Sequence, residues 1–558
     1  MTTQAVTAPP RIHLAIPGRD ALFWPISALV LTLTLHFLIA TQRAINWDEF
    51  WHYSQIHSQL AGQLRAPLQT LHASLFGWVP SLSGDSIDHL IVLRLVMLLC
   101  LAVTAGATML VAEKFVGKTA GLFAALLYLS ANFVIENGTS FRADPMAAAG
   151  LMASLALLVR GNLTTATTLA ASLCAGFAAA VTIKSVLFAP AFAGIGWWFL
   201  ATRPDTRDTV LKLAGFAVCA LAGFAALYLW HSSGMADDSD AAAKGTVSRS
   251  WENMLGFGDL PYLWHNAMGA VSSPFFAFTL AAALVVLWHS RNLRPRAENI
   301  AIAGLIAPIL SVFFYHNTAP YFHVFILPPV AAGSAIAVPL ICRRYGARLF
   351  ALLLAGSALT SWTMSERGVL ENQQALVTAA DAIFPQPVAY FDFPGMLGSY
   401  PKANGFLTVM GMRRYLSGNE LSMIETMREQ TVPLVIENEA LLSDALRITG
   451  NDPMLFDEDV AALRENYVHF WGLFWLAGRD IDPADGEHAT EFLVPGPYTV
   501  RNNPIAIDGP VYQPGDVVTI ERASYVLSAP VGKARLLWGN QLEPPPYDSP
   551  KGRYWTPF

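Results

Sequence analysis

Two adjacent carboxylates, Asp48 and Glu49, lie in the stretch "NWDEFWHY" (residues 46–53), directly after the first long apolar run. His52 follows Asp48 by about one helical turn. Charged groups beside a membrane segment are costly, so they are candidates for function. A carboxylate placed there can act as a general base. The alternative is a helix cap, since acidic residues favour helix N-termini.

A second acidic motif is "FRADP" (residues 141–145), which stands directly before another apolar run. Arg142 and Asp144 supply a cation and a carboxylate within three positions. A guanidinium of this kind can bind a phosphate. Capping alone is again the alternative, because Asp-Pro is a favourable helix start.

A lysine, Lys184, lies in "VTIKSVLFAP" (residues 181–190), at a turn between two apolar runs. Such a lysine can bind an anionic lipid head group. The alternative is a lysine that extends its ammonium to the membrane interface from an otherwise apolar position.

The fourth motif is "YHNTAPYFHVFILPP" (residues 315–329). It places His316, Tyr321 and His323 in a tight turn before an apolar run. These side chains can assist in holding an anion. Aromatic residues at a membrane interface also serve purely for anchoring, and this alternative stays open.

The composition indicates a membrane protein. Of 558 residues, 54% are hydrophobic and 14% are charged, and the mean hydropathy is +0.40. These values are too apolar for an ordinary soluble chain. The net charge of −6 comes without any basic block, so we expect no nucleic acid as partner. The four cysteines show neither metal-ligand spacing nor a disulfide pattern.

The apolar runs predict a polytopic α-helical membrane protein with about eleven transmembrane helices. The first run lacks a cleavage site and is expected to be retained. The expected runs are 21–40, 90–112, 119–136, 144–160, 165–183, 185–201, 210–231, 268–289, 298–315, 322–342 and 346–364.

The distribution of Lys and Arg predicts the orientation. Most of these residues in short loops fall on one side if residues 1–20 are cytoplasmic. The four motifs then lie on the outer side, together with the long outer loops 41–89 and 232–267. The first loop contains two amphipathic stretches, 50–64 and 68–80, which we expect to form helices at the interface.

After the membrane domain (21–365), proline, glycine and charge increase and no spanning run remains. Residues 366–487 predict an α/β subdomain, and residues 488–558 a small β-sandwich-like subdomain. An odd number of crossings makes this domain extracytoplasmic. It is expected to be either a packing domain over the site or an acceptor-binding module. In the second case the aromatic residues Tyr498, Tyr512, Tyr525 and Trp538 would stack on sugars.

The four motifs resemble those of the GT-C membrane glycosyltransferases. The resemblance is greatest to the branch of the protein O-mannosyltransferases and the bacterial aminoarabinose transferases of lipid A. "NWDEFWHY" matches the acidic motif of the first outer loop, and "FRADP" matches the acidic position of the next. "TIKSVLFAP" is similar to a Thr-x-Lys-Gly-Pro motif, with Ser185 and Val186 in place of Gly-Pro. "HNTAPYFHVFILPP" loosely matches a motif with Pro-x-Tyr and Leu-Pro.

The resemblance, which covers roughly residues 20–365, implies an inverting transfer of one sugar from a polyprenyl-phosphate donor. The acceptor would be lipid A or core, another envelope glycan, or a protein. Asp48 would deprotonate or orient the acceptor. The implied catalytic residues are Asp48, Glu49 and Asp144, and the implied donor-binding residues are Arg142, Lys184, His52, His316 and Tyr321.

The resemblance also implies a location in the bacterial inner membrane, with the C-terminal domain in the periplasm. We expect no cofactor and no metal, although two or three carboxylates together can hold a divalent ion. The alternative function is that of a secondary transporter or lipid flippase. Transporters, however, often show paired halves with interrupted helices at the membrane midplane, and the sequence shows no such pairing.

Overall fold

The chain folds into a helical bundle followed by a domain with two β-sheets. The structure, a computed structural model, describes residues 20–235, 262–405, 407–451 and 454–555. The helices of the first part are α1 (Asp20–Gln42), α2 (Trp47–Leu60), α3 (Leu71–Leu75), α4 (Ser86–Val116), α5 (Lys118–Leu129), α6 (Asn132–Asn137), α7 (Ala143–Gly161), α8 (Thr165–Val181), α9 (Ala189–Thr202), α10 (Thr206–Ser232), α11 (Leu263–Ser272), α12 (Pro274–His289), α13 (Arg296–Ile306), α14 (Phe322–Ser334), α15 (Val338–Tyr345) and α16 (Ala347–Met364). Short 3-10 segments lie at Val79–Ser81, Ile183–Phe188, Ser290–Asn292, Ala307–Phe313 and Ala335–Ala337.

Within the described residues, nine helical segments are long and apolar enough to cross a membrane. They are Leu22–Gln42, Ser86–Val116, Ala143–Gly161, Ile183–Thr202, Thr206–Ser232, Pro274–Asn292, Arg296–Phe313, Phe322–Tyr345 and Ala347–Met364. Two further apolar helices, α5 and α8, are shorter. The expected run 119–136 is divided into α5 and α6, because the backbone at Ala131 is extended. The protein is a multi-pass membrane protein.

Helix α14 lies at the centre of the bundle, since all of its residues are buried. It packs against α4, α5, α7, α12 and α13. Small residues allow close approach elsewhere in the bundle: a Cβ at Gly194 of α9 would lie 3.0 Å from the Cα of Gly304 in α13. Close backbone packing of this kind is typical of helices in lipid.

Helix α2 covers most of the first amphipathic stretch that the sequence predicts as a helix, whereas α3 covers only Leu71–Leu75 of the second. The buried face of α2 carries Phe50, Tyr53 and Ile56, while Trp51 is exposed. This spacing is that of one apolar helix face. Helix α2 contacts α3 and α4. The segment with the two carboxylates is therefore anchored to a long membrane helix.

The C-terminal domain contains five helices and eleven strands among the described residues. The helices are α17 (Val369–Ile383), α18 (Val409–Leu416), α19 (Met423–Glu429), α20 (Ala440–Leu446) and α21 (Asp457–Asn466). The strands are β1 (Tyr390–Phe391), β2 (Leu434–Ile436), β3 (Tyr467–Trp471), β4 (Phe474–Ile481), β5 (His488–Glu491), β6 (Gly496–Arg501), β7 (Ile505–Ile507), β8 (Val511–Tyr512), β9 (Val517–Ile520), β10 (Ser524–Ser528) and β11 (Ala534–Trp538).

The strands form a seven-stranded and a four-stranded sheet. The larger has the order β1-β2-β4-β11-β6-β9, with β3 also paired to β4, and the smaller has the order β5-β10-β7-β8. Strand β4 lies between β2 and β11 and pairs with both. The larger sheet is therefore continuous across residue 487, where the sequence pattern changes from α/β to β.

Two of the four tail aromatics belong to the interior of this domain. Tyr498 is 1% exposed, and its hydroxyl donates to the carbonyl oxygen of Val494 at 2.6 Å. Trp538 is partly buried, and its Nε1 donates to the carbonyl oxygen of Pro495 at 3.1 Å. Burial therefore accounts for Tyr498, and a backbone hydrogen bond holds the partly buried Trp538.

Helix α17 connects the two parts of the protein and packs against α4. Its residues Leu376, Val377 and Ala380 are buried in the same hydrophobic core as Leu90 and Leu93 of α4. The C-terminal domain therefore rests directly on the end of the helical bundle.

Candidate active site

The N-terminus of α2 shows which residue caps this helix. The Asn46 side chain accepts a hydrogen bond from the Asp48 amide at 2.9 Å, and Glu49 accepts one from the Asn46 amide at 2.9 Å. Asn46 and Glu49 form a capping box. Capping thus accounts for Glu49 and leaves the Asp48 carboxylate available for other contacts.

The Glu49 carboxylate is completely buried and fully engaged. Arg94 of α4 donates to its two oxygens at 2.8 and 2.5 Å, and the Phe141 amide donates at 2.7 Å. Burial alone would raise the pKa of Glu49, but Arg94 and the amides of Asn46 and Phe141 outweigh it and lower that pKa. Glu49 therefore ties α2 to α4 and to the loop before α7, and its oxygens face no open space.

Asp48, Arg142, Asp144 and Lys184 form one buried chain of alternating charges. The Asp48 carboxylate makes an ion pair with Nη1 of Arg142. The Nε of Arg142 lies 3.8 Å from one oxygen of Asp144, and the Nζ of Lys184 lies 2.5 Å from the other. Each of the four is at most 7% exposed. Two cations and two anions balance, as burial of charge requires.

Tyr321 lies beneath the two cations of this chain. The guanidinium carbon of Arg142 is 3.3 Å from the centre of the Tyr321 ring, and the Nζ of Lys184 is 5.6 Å from it. The Tyr321 hydroxyl donates to the side chain of Asn317 at 2.9 Å. Such a ring stabilises a cation above its face. Burial also raises the pKa of Tyr321, so the hydroxyl keeps its proton.

Local backbone structure directs these side chains inward. Arg142 is the N-cap residue of α7, with extended backbone angles, and Asp144 follows in the first turn. Thr182 caps the 3-10 segment Ile183–Phe188 by accepting from the Lys184 amide. Lys184 is 7% exposed. This burial rules out a lysine that extends to the interface, and it places the ammonium against Asp144.

His52 lies beside the charged chain, as a neighbour of Asp48 on α2. Its Nδ1 hydrogen-bonds the Asp48 carbonyl oxygen at 2.6 Å. Its ring centre is 4.7 Å from that of His72 in α3 and 6.2 Å from that of Phe141. Burial lowers the pKa of His52, so the ring is held neutral near pH 7. Because the carbonyl oxygen accepts, Nδ1 carries the single N–H of the neutral ring, and Nε2 is left as a hydrogen-bond acceptor.

His316 is not joined to this chain. Among the described residues, no hydrogen bond or ion pair connects His316 to any of the four charged side chains, and its buried Nε2 has no hydrogen-bond partner. The preceding Tyr315 instead packs against Phe322. The structure thus brings Asp48, Arg142, Asp144, Lys184, Tyr321 and His52 together and leaves His316 apart.

Arg94 is a site residue that the motifs did not reveal. It lies within the apolar run 90–112, is 3% exposed, and holds the Glu49 carboxylate. An arginine inside a spanning run is itself a signal, because such a charge requires a buried partner. His72 carried no comparable signal, since a histidine in an amphipathic stretch is unremarkable there.

The carboxylates of the charged chain are paired with cations. Asp48 and Asp144 already face Arg142 and Lys184. In the part of the chain that the structure describes, no group of three or more His, Cys, Asp or Glu side chains is arranged as a metal site.

No protein-family model and no curated protein matches this chain. Several solved structures are similar to it. ArnT from Cupriavidus metallidurans, bound to undecaprenyl phosphate, has a TM-score of 0.52 and 14% identity over 76% of this chain and 95% of ArnT. The oligosaccharyltransferase AglB from Archaeoglobus fulgidus has a TM-score of 0.47 and 12% identity, over 91% of this chain and 76% of AglB. The arabinosyltransferase EmbB from Mycobacterium smegmatis has a TM-score of 0.42 and 11% identity, over 95% of this chain and 64% of EmbB.

The fold is similar to that of ArnT, in agreement with the GT-C-like fold that the resemblance of the four motifs predicts. It consists of a multi-pass helical bundle with a sheet-rich C-terminal domain. At 14% identity the likeness to ArnT is a likeness of fold. A fold of this kind does not by itself specify an activity.

Proposed function

We propose that this protein is a glycosyltransferase that moves a single sugar from a polyprenyl-phosphate donor to an acceptor. The observation that carries the proposal is the buried chain of Asp48, Arg142, Asp144 and Lys184. A departing phosphate needs cations, and an attacking hydroxyl needs a carboxylate. This chain supplies both within a few ångströms. The undecaprenyl phosphate bound to ArnT supports a lipid phosphate as the donor's leaving group.

The two cations have hydrogen-bonding capacity left for a phosphate. The Nε of Arg142 has no hydrogen-bond partner among the described residues. The Lys184 ammonium has three N–H donors, of which one points to Asp144. Tyr321 holds the guanidinium plane from below. A phosphate that approaches Arg142 and Lys184 thus meets preformed donors.

In the proposed reaction, Asp48 takes the proton of an acceptor hydroxyl. The acceptor oxygen attacks the anomeric carbon, and the bond from that carbon to the phosphate oxygen breaks. The phosphate leaves with the bonding electron pair as polyprenyl phosphate, next to Arg142 and Lys184. One displacement inverts the anomeric configuration. An acceptor phosphate is already an anion, so Asp48 would then only orient it.

The remaining predicted site residues take supporting roles in this proposal. Asp144 holds Arg142 and Lys184 at a fixed spacing. Glu49 positions the start of α2 through Arg94 and does not touch the substrate. The Nε2 of His316 has no hydrogen-bond partner among the described residues, so it is free to hydrogen-bond a substrate. Binding of the sugar donor by His316 stays a prediction.

We place the site at the outer face of a bacterial inner membrane, with the C-terminal domain in the periplasm. The asymmetry of Lys and Arg in the short loops supports this orientation. Polyprenyl-phosphate sugars then reach the site from the membrane. The acceptor would be lipid A or core, another envelope glycan, or a protein.

The proposal is tested with the purified full-length protein in detergent, polyprenyl-phosphate sugars and an envelope extract as acceptor. Transfer predicts the release of free polyprenyl phosphate that depends on the acceptor. In sealed vesicles, movement of the intact donor across the membrane without bond cleavage would instead identify a transporter or flippase. That outcome would contradict the proposal.

A further inference from the structure

A short connection, residues 43–46, leads from α1 to the start of α2, where Asp48 lies. On the membrane side, Arg94 donates to the carbonyl oxygens of Arg43 and Ala44 at 2.6 and 2.7 Å. Arg94 thus reaches the backbone as far as Ala44 and makes no hydrogen bond to Ile45. The next backbone groups along the connection must be satisfied by another part of the molecule, because buried amides and carbonyls are costly when unpaired.

The C-terminal domain satisfies them through Gln373 of α17. The Ile45 amide donates to Oε1 of Gln373 at 2.7 Å, and Nε2 of Gln373 donates to the Ile45 carbonyl oxygen at 2.9 Å. Gln373 is 328 residues away in sequence, and both residues are 0% exposed. One side-chain amide thus holds both backbone groups of a residue that lies directly before the N-cap Asn46.

A second contact from the same domain holds the other side of α2. The backbone of Gly398 lies directly against the ring of Tyr53, and a Cβ at Gly398 would overlap that ring. The loop before Gly398 is fixed by buried Asp392, which accepts from the amides of Gly395 and Met396. The α2 segment is therefore held from the membrane side by Arg94 and from the C-terminal domain by two separate contacts.

We propose that the C-terminal domain is part of the catalytic apparatus, and that Gln373 is a positioning residue for Asp48. By holding Ile45, Gln373 sets the start of α2, and the start of α2 sets the Asp48 carboxylate against Arg142. A displacement of about 1 Å in a reacting group can lower a rate about a hundredfold. The inference rests on the proposed function, since it assigns a role to this domain in the transfer reaction.

The neighbouring residue Gln374 provides a matched control. It lies on the same helix and also hydrogen-bonds the membrane part, but its partner is the side chain of Asp85, the N-cap residue of α4. Replacing either glutamine by methionine keeps a similar length and volume. Only the change at Gln373 removes a contact to the segment with Asp48.

The experiment compares the full-length wild type with Gln373→Met and Gln374→Met. Hydrogen–deuterium exchange should show faster exchange in peptides covering residues 43–53 for Gln373→Met alone. In the transfer assay, kcat of Gln373→Met should fall about tenfold or more, with the KM for the donor changed less than about twofold. Gln374→Met should retain the wild-type values. Faster exchange confined to residues 43–53, with wild-type exchange in the rest of the chain, distinguishes positioning from a general loss of folded protein.

A second variant, Gly398→Ala, tests the same coupling without altering Gln373, in case Gln373→Met does not fold. It should also speed exchange in residues 43–53 and lower kcat. Wild-type exchange and kcat in Gln373→Met, or equal losses in Gln374→Met, would overturn the inference. If the wild type transfers no sugar, the proposed function fails, while the exchange comparison still decides whether Gln373 holds this segment.

Discussion

The Nζ of Lys184 lies 2.5 Å from the Oδ1 of Asp144, although the two residues are 40 positions apart. Both side chains are buried at the ends of different helices. Their pairing brings the segment after α8 to the start of α7. Since Asp144 also faces Arg142, its single carboxylate fixes the spacing of both cations proposed to receive the phosphate.

Lys184→Met is expected to abolish transfer and to weaken the binding of undecaprenyl phosphate. The methionine keeps the apolar stem and removes the ammonium that faces the leaving group. Lys212→Met is the control, because Lys212 makes a comparable 2.7 Å pair with Asp208 on a partly exposed face of α10. Binding is measured by native mass spectrometry in detergent. Equal binding by wild type and Lys184→Met would refute the role of this lysine.

Glu49→Gln is expected to lower the stability of the protein more than Asp48→Asn. It leaves Arg94 buried with a neutral partner, and breaking a buried ion pair costs about 3–5 kcal/mol. After Asp48→Asn, Arg142 still faces Asp144 and the Tyr321 ring. Thermal unfolding in detergent measures both variants. A Glu49→Gln protein as stable as the wild type, yet inactive, would indicate a direct role of Glu49 in the reaction.

Much of the site was predictable from sequence, because each motif joins a charge to the end of an apolar run. Asp48, Arg142, Asp144 and Lys184 were expected on one face of the membrane, and the structure places them in contact. A multi-pass topology requires such ends to meet at the two surfaces of the bundle. The position of each motif at the end of a run, together with the asymmetry of Lys and Arg, therefore predicts a common face, and the contacts come from the structure.

The hydrogen-bond partners of the buried polar side chains were not predictable from the sequence. Glu49 was expected to act beside Asp48, but the fold brings Arg94 and the Phe141 amide to it. These partners depend on how α4 packs, which no local pattern encodes. The contact between Gln373 and Ile45 is even less predictable, since it depends on the docking of a separate domain. A glutamine on an amphipathic helix gives no sequence signal that its partner is distant.

The pH dependence of stability is expected to reflect His72. Burial and the neighbouring His52 hold the pKa of His72 well below its usual 6.5. The unfolded chain therefore binds a proton below about pH 6.5 that the folded protein does not bind. Stability is fully present above that pH and is lost as the pH falls, by about 1.4 kcal/mol per pH unit from this group.

His72→Phe should reduce this loss, because the ring shape is kept and the titrating group is removed. Unfolding temperatures of wild type and variant are compared between pH 7 and pH 5. His52 also has a lowered pKa, so some decrease should remain in the variant. The same decrease in both proteins would show that His72 does not contribute.

A chelator is expected to leave transfer unchanged. The two carboxylates that a metal would need are paired with Arg142 and Lys184, which supply positive charge to the phosphate directly. The assay compares initial rates before and after dialysis against EDTA. Loss of activity that Mg²⁺ or Mn²⁺ restores would contradict this expectation.

The most direct test of the central claim uses mass spectrometry of envelope lipids, glycans and proteins from cells with wild-type protein, Asp48→Asn, or no protein. The account predicts a product one sugar heavier than its acceptor with the wild type alone. Asp48→Asn should resemble the absence of the protein, while remaining folded in the membrane. Wild-type product levels with Asp48→Asn, or no sugar-dependent mass difference at all, would contradict the account.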